Sequence, residues 1–415
     1  MTISDFKIVF IKEDMTTATN KTPWIIWGSE LSPFTLKVLA LCKYKGLPIR
    51  FLPTEGKWLE NMKVNFRREW LVRGKLPLTY PEWSELDEFP LVPFLFGPEK
   101  ENIYDSTAID HWLDTQAPIE QNVPDTTPRK DSILRFLVSL IDEYADEFGL
   151  YLAHHYRWKV SATDNNAGER LAHEQRSLLG PARPLLARWF STRQVRRLPY
   201  LFSVAPDGFQ IQGLPTRLQP PRREGFPSTH DLLEESFSKL LAALEPVLES
   251  RPYLFGNRFT LADASIYGEL GMNLTDPSAA RQIEQQAPNV FVWLKKMEKG
   301  DFSASDSNTD LTADKSLSPL LNEICRTYVP LMKQNYKAYR EYKEKGEILF
   351  NEKAFWEGAS QFDGILDGHP FRSVVKTFQV KIWLGIRNQW TGLSDSDQQS
   401  LEKLLPNNHG LDSDV

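Results

Sequence analysis

A strand, a helix and a second strand follow one another within residues 23–52, and this order most restricts the possible folds. Residues 23–28 (PWIIWG) are a short apolar run of β-favouring residues, which is typical of a buried strand. Pro33 suits the first turn of a helix, and the apolar residues of 34–44 recur at helical spacing. Residues 48–52 predict a second strand. Because a helix connects the two strands, we expect them to pair in parallel.

A second group of short elements lies between residues 91 and 112. Residues 91–96 (LVPFLF) predict an apolar strand that contains Pro93, and this proline is a candidate for a cis peptide bond. Residues 102–104 predict another strand, after which Asp105-Ser106 supply N-cap side chains for a helix. Strand–helix–strand followed by strand–strand–helix is a thioredoxin-type arrangement. Residues 53–89, which are rich in Trp and charge, predict irregular structure.

The remainder of the chain is mainly helical by its periodicity. Apolar residues recur at helical spacing over 131–158, 231–249, 261–270, 317–345 and 371–391. Thr260 to Asp263 resembles a capping box, Pro330 should kink or divide its helix, and the polar residues 301–316 predict a flexible linker. We therefore predict a thioredoxin-like domain at 1–117, an all-helical domain at 131–300 and a helical C-terminal extension at 317–415.

The net charge of −6 conceals a basic segment. Residues 167–230 hold ten arginines, no lysine and four acidic residues, a local charge of about +6, and are also rich in proline. This break in composition predicts an Arg/Pro-rich insertion at 159–228. We favour a lid or an internal contact, because the prolines would break a long amphipathic helix. A partner or dimer contact, peripheral membrane contact and a plain solvated loop stay open.

Several classes of protein are disfavoured by composition. No stretch approaches the roughly 18–20 apolar residues of a membrane-spanning helix, and the first residues lack the features of a secretory signal. Cys42 and Cys325 are the only cysteines, so we expect no disulfide framework, no cysteine-based metal site and a reducing, cytoplasmic location. Nucleic-acid binding has no supporting motif, and the net charge opposes it.

Four motifs, taken together and in this order, resemble the cytosolic glutathione transferase superfamily. Residues 27–34 (WGSELSPF) look like the serine-type members, in which a Ser precedes Pro-Phe at the head of the first helix. Residues 91–95 are similar to the family's cis-proline strand, and Asp105-Ser106 stands where the family usually has Glu-Ser. Residues 254–263 (LFGNRFTLAD) are similar to a folding motif of the family's helical domain. The tail resembles extensions of some large bacterial members.

The resemblance implies that glutathione is a co-substrate and that a serine favours its thiolate. An unperturbed thiol has a pKa of about 8.5, which a hydroxyl donor and the positive end of a helix dipole would lower. Ser32 is the candidate catalytic residue and Ser29 the alternative; for each, simple helix capping is the other interpretation. This turn contains no cysteine, which disfavours the disulfide-exchange branches of the family.

The resemblance also implies a set of glutathione-binding residues. Val92 would pair its backbone with the cysteinyl part, and Asp105 and Ser106 would bind the γ-glutamyl end or simply cap a helix. The full set is Phe34, Val92, Pro93, Asp105 and Ser106.

One departure concerns the glycyl carboxylate of glutathione. Family members commonly place a Lys or Gln shortly before the cis-proline strand, whereas this chain has Asp87-Glu88, which would repel a carboxylate. Arg67, Arg68 or Arg73 are candidates for the missing cation.

The predicted function is therefore a glutathione transferase that activates the thiol for addition to, or substitution on, an electrophilic, hydrophobic small molecule. One alternative is a glutathione-transferase-like binding or scaffold module without turnover, which the acidic Asp87-Glu88 favours. A second is a glutathione-dependent isomerase, lyase or dehalogenase. His154 and His155 have a possible acid–base role, but packing is the preferred interpretation. The resemblance further suggests a homodimer.

Overall fold

The computed structural model describes residues 22–88, 92–116, 123–305 and 310–412. The sequence-based expectations for the N-terminal segment, for Leu91 and for part of the linker at 301–316 fall outside these ranges.

Four strands form one mixed sheet near the start of the described chain. They are β1 (Trp24–Trp27), β2 (Ile49–Leu52), β3 (Phe94–Phe96) and β4 (Asn102–Tyr104). The order across the sheet is β2-β1-β3-β4, with β1 parallel to β2 and the other two pairs antiparallel. The predicted parallel pair and thioredoxin-like arrangement are therefore confirmed. The Val92–Pro93 peptide is cis, as proposed, but β3 begins after Pro93.

Three helices accompany the sheet: α1 (Pro33–Tyr44), α2 (Trp58–Val72) and α3 (Ser106–Thr115). The prediction that residues 53–89 are irregular was wrong for α2. Val64 and Leu71 of this helix pack against the sheet, while Trp58, Phe66 and Trp70 stay about half exposed. The apolar residues thus do not define a single buried stripe, which weakens the helical signal in the sequence.

A long helical segment follows at residues 132–160. It consists of α4 (Ser132–Tyr144) and α5 (Leu150–His155), each followed by a π-helical turn, at 145–149 and 156–160. Such turns interrupt regular helix geometry and are frequent near functional sites.

The Arg/Pro-rich insertion is also helical: α6 (Ala167–Glu174), α7 (Arg176–Leu179) and α8 (Arg183–Arg196). Prolines bound α8: Pro184 lies in its first turn, where no backbone donor is lost, and the helix ends before Pro199. Buried Val195 and Leu198 pack against Leu31 and Trp158. The insertion therefore packs against the turn that precedes α1.

Four further helices complete the middle of the chain: α9 (His230–Ser250), α10 (Leu261–Met272), α11 (Pro277–Gln286) and α12 (Pro288–Lys299). The predicted capping box is present, since the Asp263 carboxylate accepts from the amides of Thr260 (3.0 Å) and Leu254 (2.8 Å). Helix α10 lies close to α1: a Cβ on Gly268 would come within 2.6 Å of the carbonyl oxygen of Pro33.

The tail contains α13 (Ser318–Arg326), α14 (Tyr328–Glu344), α15 (Glu352–Glu357), β5 (Gln361–Leu366), β6 (His369–Val374), α16 (Thr377–Thr391) and α17 (Asp395–Leu401). The predicted division near Pro330 occurs at Thr327. One expectation was wrong, since the last long helix begins at Thr377 instead of residue 371. The antiparallel β5–β6 hairpin was not predicted.

Both cysteines are buried and free. Within the described residues, no helix has the length and apolar character that crossing a bilayer requires.

Candidate active site

A cavity of about 570 Å³ lies where the sheet, the long helical segment, the insertion and the tail meet. Both candidate serines and all five predicted glutathione-binding residues line it: Ser29, Ser32, Phe34, Val92, Pro93, Asp105 and Ser106. These residues come from three separate parts of the chain, so the fold brings them together. The volume is within the range of sites that hold small molecules.

Ser32 is the N-cap residue of α1. Its hydroxyl oxygen accepts a hydrogen bond from the amide of Thr35 at 3.4 Å, and the side chain is only partly buried. A hydroxyl that accepts this bond keeps its own proton available for a ligand in the cavity. The unpaired amides and the dipole of α1 add positive potential at the same place.

Ser29 is more enclosed. Only 8% of the residue is exposed, and its hydroxyl oxygen accepts from the amide of Leu31 at 3.2 Å. Its side chain lies beside the carboxyl group of Glu174, whose pKa is raised to about 7 by burial, with the hydrogen bond from Ser29 opposing the shift. Glu174 belongs to the insertion and also accepts from the amide of Glu30 at 3.1 Å. The Ser29 hydroxyl therefore already forms its hydrogen bonds with other groups of the protein.

Arg157 supports the turn that carries both serines. It is buried, and its guanidinium donates to Asp276 Oδ2 (2.8 Å), to the Leu31 carbonyl oxygen (2.8 Å) and to the Met272 carbonyl oxygen. Three bonds from one planar group fix the turn relative to α10 and to the start of α11.

Asp105 is the N-cap residue of α3 and Ser106 is its first residue, and both line the cavity. Asp105 has φ +70° and accepts from the amide of Ala108 at 2.9 Å, and burial raises the pKa of its carboxyl group. Positive φ is uncommon for a residue other than glycine, and such strain often occurs at functional sites. The Ser106 hydroxyl donates to Asp146 Oδ2 at 3.2 Å.

The Ser106 contact belongs to a buried ionic network. The ammonium group of Lys37 lies 2.5 Å from Asp142 and 2.7 Å from Asp146, and it also donates to Thr107 at 2.9 Å. Burial raises the pKa of Asp146 to about 7, with Lys37 opposing the shift. The network fixes α1 and α3 against the long helical segment below the cavity.

The acidic residues before the cis-proline segment are matched by lysines of the tail. Lys381 lies 2.5 Å from Asp87, which is 7% exposed and also accepts from the backbone and hydroxyl of Ser84. Glu88 lines the cavity and attracts Lys376 electrostatically. The prediction that Asp87 and Glu88 would repel a carboxylate did not take into account the positive charges of Lys381 and Lys376.

The three arginines proposed as the missing cation lie elsewhere. Arg67 donates to Asn102 (2.8 Å) and to the Glu101 carbonyl oxygen (2.8 Å), while Arg68 and Arg73 both contact Glu69. None of the three lines the cavity, so that expectation was wrong.

Three tail residues, Lys376, Phe378 and Gln379, line the cavity and were not predicted. The Lys376 ammonium contacts the Tyr151 hydroxyl and lies 4.3 Å from the centre of that ring. Gln379 donates to the same hydroxyl at 2.8 Å. Burial lowers the pKa of Lys376 to about 7, while Glu147 and Glu88 oppose the shift. No local sequence motif marks such contacts, since the two partners are 225 positions apart.

The two neighbouring histidines differ in environment. His155 is fully buried and contacts Ser203 Oγ (2.7 Å) and Glu234 Oε1 (3.0 Å), which agrees with a packing role. His154 lines the cavity with its Nε2 3.3 Å from Gln194. Burial, followed by the nearby Arg197, lowers the pKa of His154 to about 3, so the ring is neutral at physiological pH.

The insertion forms one wall of the cavity. Its lining residues are Leu171, Gln175, Trp189, Phe190, Arg193, Gln194, Arg197, Tyr200 and Leu201. This placement agrees with the preferred interpretation of the insertion as an internal contact beside a substrate pocket.

Several solved structures are similar to this chain at low sequence identity. Glutathione S-transferase III in the apo form has 19% identity over 68% of this chain and 95% of its own, with a TM-score of 0.36. A glutathione S-transferase from Methylobacillus flagellatus KT with glutathione bound has 17% identity over 68% and 98%, at 0.36. The β-etherase LigF from Sphingobium sp. strain SYK-6 has 15% identity over 68% and 98%, at 0.38. No curated protein sequence gives a match.

Two family models match the sequence itself. The glutathione S-transferase N-terminal domain matches residues 27–122, which contain the sheet, and the glutathione S-transferase C-terminal domain matches residues 221–301, which contain α9 to α12. The two domains occur in this order on one chain, on a thioredoxin-like fold followed by helices. Residues 27–122 and 221–301 are therefore the N- and C-terminal domains of a glutathione S-transferase.

Proposed function

We propose that this protein is a glutathione transferase of the serine type, in which the Ser32 hydroxyl donates a hydrogen bond to the glutathione sulfur. The observation that carries the proposal is the position of Ser32 at the N-cap of α1, facing a cavity that Val92, Asp105 and Ser106 also line. A donor and a helix N-terminus at one point both favour a thiolate over a thiol.

Ser32 is preferred to Ser29 because of what each hydroxyl already contacts. Ser29 is buried beside the Glu174 carboxyl group, whereas the Ser32 hydroxyl accepts a single bond from the backbone and is partly exposed to the cavity. A thiolate needs a donor, and only the Ser32 proton has no acceptor among the described residues.

The two ends of glutathione have different charge requirements. Its γ-glutamyl end carries an ammonium and a carboxylate, which suit the Asp105 carboxylate, the Ser106 hydroxyl and the first amides of α3. Its glycyl end carries a carboxylate and needs a cation. Lys376 lines the cavity beside Glu88, and Glu88 precedes the cis-proline segment in the sequence. We assign Lys376 the role of this cation.

The rest of the cavity offers a hydrophobic surface to a second substrate. Its apolar and aromatic lining residues include Leu31, Tyr151, Trp158, Trp189, Phe190 and Phe378. A thiolate held at Ser32 would attack an electrophilic carbon that rests against these rings. Closely packed rings would also exclude water, which lowers the local polarity and strengthens the electrostatic interactions of the thiolate.

The alternative of a module without turnover depended on the acidic pair Asp87-Glu88. Its support is weaker now that Lys381 and Lys376 lie beside these two residues. Isomerisation, elimination or dehalogenation would use the same thiolate. Analysis of the products formed from each class of substrate distinguishes these reactions from conjugation. The predicted homodimer and cytoplasmic location stay predictions.

The test compares wild type with Ser32→Ala and Ser29→Ala. Ultraviolet absorbance of the bound thiolate, titrated against pH, measures the thiol pKa on the enzyme. We expect Ser32→Ala to raise that pKa by about 1–2 units and to lower kcat/KM for conjugation by roughly tenfold or more, since one pKa unit is about 1.4 kcal/mol. Ser29→Ala is the matched control and should leave the thiol pKa unchanged.

Glutathione binding is measured separately by calorimetry. Binding without turnover in wild type would support the non-catalytic module, and an unchanged thiol pKa in Ser32→Ala would remove Ser32 from the mechanism. No binding with glutathione in large excess would overturn the whole proposal.

A further inference from the structure

A second depression lies along α8, with a volume of about 880 Å³. We call it the arginine groove and define it by its lining residues, which are Leu185, Arg188, Trp189, Thr192, Arg193, Arg196, Arg197, Pro221, Glu352 and Trp356. Most of these residues belong to the insertion, and two belong to α15 of the tail.

The charge of the groove is strongly unbalanced. Four arginines face one acidic residue, Glu352, whose carboxylate is already engaged by Arg197 Nε at 2.9 Å and lies 3.9 Å from Arg193. Arg188 and Arg196 are exposed and form no ion pair with any residue that the structure describes. The guanidinium groups of Arg188 and Arg196 are therefore available to an anionic ligand.

Aromatic surface accompanies this charge. Trp189 is 57% exposed and Trp356 is 40% exposed, which is unusual for such large apolar side chains. The Arg193 guanidinium lies 5.8 Å from the centre of the Trp189 ring. Flat rings beside guanidinium groups suit a ligand that is itself aromatic and negatively charged.

The groove adjoins the cavity. Trp189, Arg193 and Arg197 line both depressions, so these three side chains form the border between them. His154 lines the cavity near this junction, through its contact with Gln194 of α8. It is 7% exposed, and its Nδ1 has no hydrogen-bond partner in the described part of the chain. This nitrogen is therefore free to form a hydrogen bond with a ligand group in the cavity.

We propose that the arginine groove binds the second substrate of the transferase as an aromatic anion, with its acidic group at Arg188 and Arg196 and its reactive carbon directed into the cavity. This inference rests on the proposed function. A small molecule is preferred to a peptide because the groove adjoins a cavity of small-molecule size.

The test uses two electrophiles that share a leaving group, a chlorodinitrobenzoate and its uncharged methyl ester. With either one, the glutathione sulfur forms a bond to the ring carbon, chloride leaves with the bonding electron pair, and the thiol proton passes to the buffer. We expect wild type to have a KM for the benzoate at least tenfold below that for the ester, with this preference decreasing as salt is added.

The variant is the double substitution Arg188→Gln/Arg196→Gln. It should raise the KM for the benzoate about tenfold and leave the ester unchanged. The matched control is Arg183→Gln/Arg217→Gln, which removes the same charge from exposed arginines of the insertion outside the groove and should change neither.

A binding measurement separates this inference from the proposed function. Dinitrobenzoate without the chlorine cannot react, and its affinity is measured by calorimetry with and without S-methylglutathione. If turnover is absent but the affinity falls about tenfold in Arg188→Gln/Arg196→Gln, the groove stands and the proposed catalysis fails. Equal affinity for the anion and the ester in wild type overturns the inference. So does tighter binding to an acidic peptide or to phosphatidylserine vesicles than to dinitrobenzoate.

Discussion

The ammonium group of Lys381 in α16 lies 2.5 Å from Oδ1 of Asp87, which is buried directly before the cis-proline segment. The contact joins two residues 294 positions apart. It neutralises an acidic side chain that, from the sequence alone, was expected to repel the glycyl carboxylate of glutathione. The pKa of Asp87 is accordingly low: burial raises it, but the bonds from Lys381 and Ser84 outweigh that effect. The tail therefore contributes to the architecture of the proposed glutathione site.

Removing this lysine should destabilise the protein. Lys381→Met leaves a buried carboxylate without its cation, and we expect the free energy of unfolding in urea to fall by about 1–3 kcal/mol, less than for a fully buried pair because Lys381 is 34% exposed. Asp87→Asn in the same background should recover part of the loss, as a double-mutant cycle would show. The exposed Lys403→Met is the control, and an equal loss there would remove the special role of the contact.

Asp105 offers a way to separate helix capping from ligand binding. Asp105→Ala loses the bond to Ala108 and keeps the strained φ of +70°, so unfolding free energy should fall by about 1–2 kcal/mol. Asp105→Gly relieves the strain and should be closer to wild type in thermal denaturation. Asp105→Asn keeps the cap but loses the charge. If Asp105 meets the glutathione ammonium group, all three weaken glutathione binding in calorimetry; unchanged affinity in Asp105→Asn would leave only the capping role.

The sequence predicted those features that depend on neighbouring residues. The strands at 24–27 and 49–52, the helix after Ser32 and the capping box at Thr260 all carry their signal within a few positions. The β5–β6 hairpin also had a local signal, because Asp367-Gly368 is a favoured two-residue turn between β-prone segments. That signal was overlooked beside the helical spacing of 371–391.

The contribution of the tail to the cavity had no comparable signal. The Asn335 side chain accepts from the Lys376 backbone amide at 2.9 Å and donates to its carbonyl oxygen at 3.0 Å, while the Lys376 ammonium group contacts the hydroxyl of Tyr151. These partners come from distant parts of the chain, so periodicity and capping preferences contain no information about them. That residues 29–34 and 105–106 contribute to one cavity was predictable only because they lie in short motifs.

Lys376 should make stability depend on pH in a specific window. Its pKa is about 7 in the folded protein and near the ordinary 10.5 in the unfolded chain, so the unfolded state binds more protons between these values. Wild type should therefore gain stability relative to Lys376→Met as pH rises from about 8 to 10, by at most about 1.4 kcal/mol per pH unit and less where water reaches the ammonium group. The window begins at pH 8 because neighbouring Glu147 has a pKa of about 7, so below pH 8 its titration would add to that of Lys376.

The measurement is urea unfolding of both proteins at several pH values, with Lys403→Met as a variant whose difference from wild type should stay flat. A difference between Lys376→Met and wild type that does not change over this window would mean that Lys376 keeps its proton. Glutathione affinity at pH 7 provides a second readout: it should fall roughly tenfold in Lys376→Met if this lysine holds the glycyl carboxylate.

Arg157 connects stability to the position of the proposed catalytic serine. A lysine at this position cannot reach Asp276 and the carbonyl oxygens of Leu31 and Met272 together, so Arg157→Lys leaves buried acceptors unpaired. We expect unfolding free energy to fall by about 2–4 kcal/mol, with kcat for conjugation lowered more than KM for glutathione is raised, because the turn holding Ser32 loses its support. Arg281 forms an exposed ion pair with Asp164 at 3.3 Å, so Arg281→Lys should lower the free energy of unfolding by at most about 0.5 kcal/mol. Activities compared at a temperature where both variants are fully folded test the catalytic part, and wild-type kcat in Arg157→Lys would show that the turn keeps its geometry without the guanidinium.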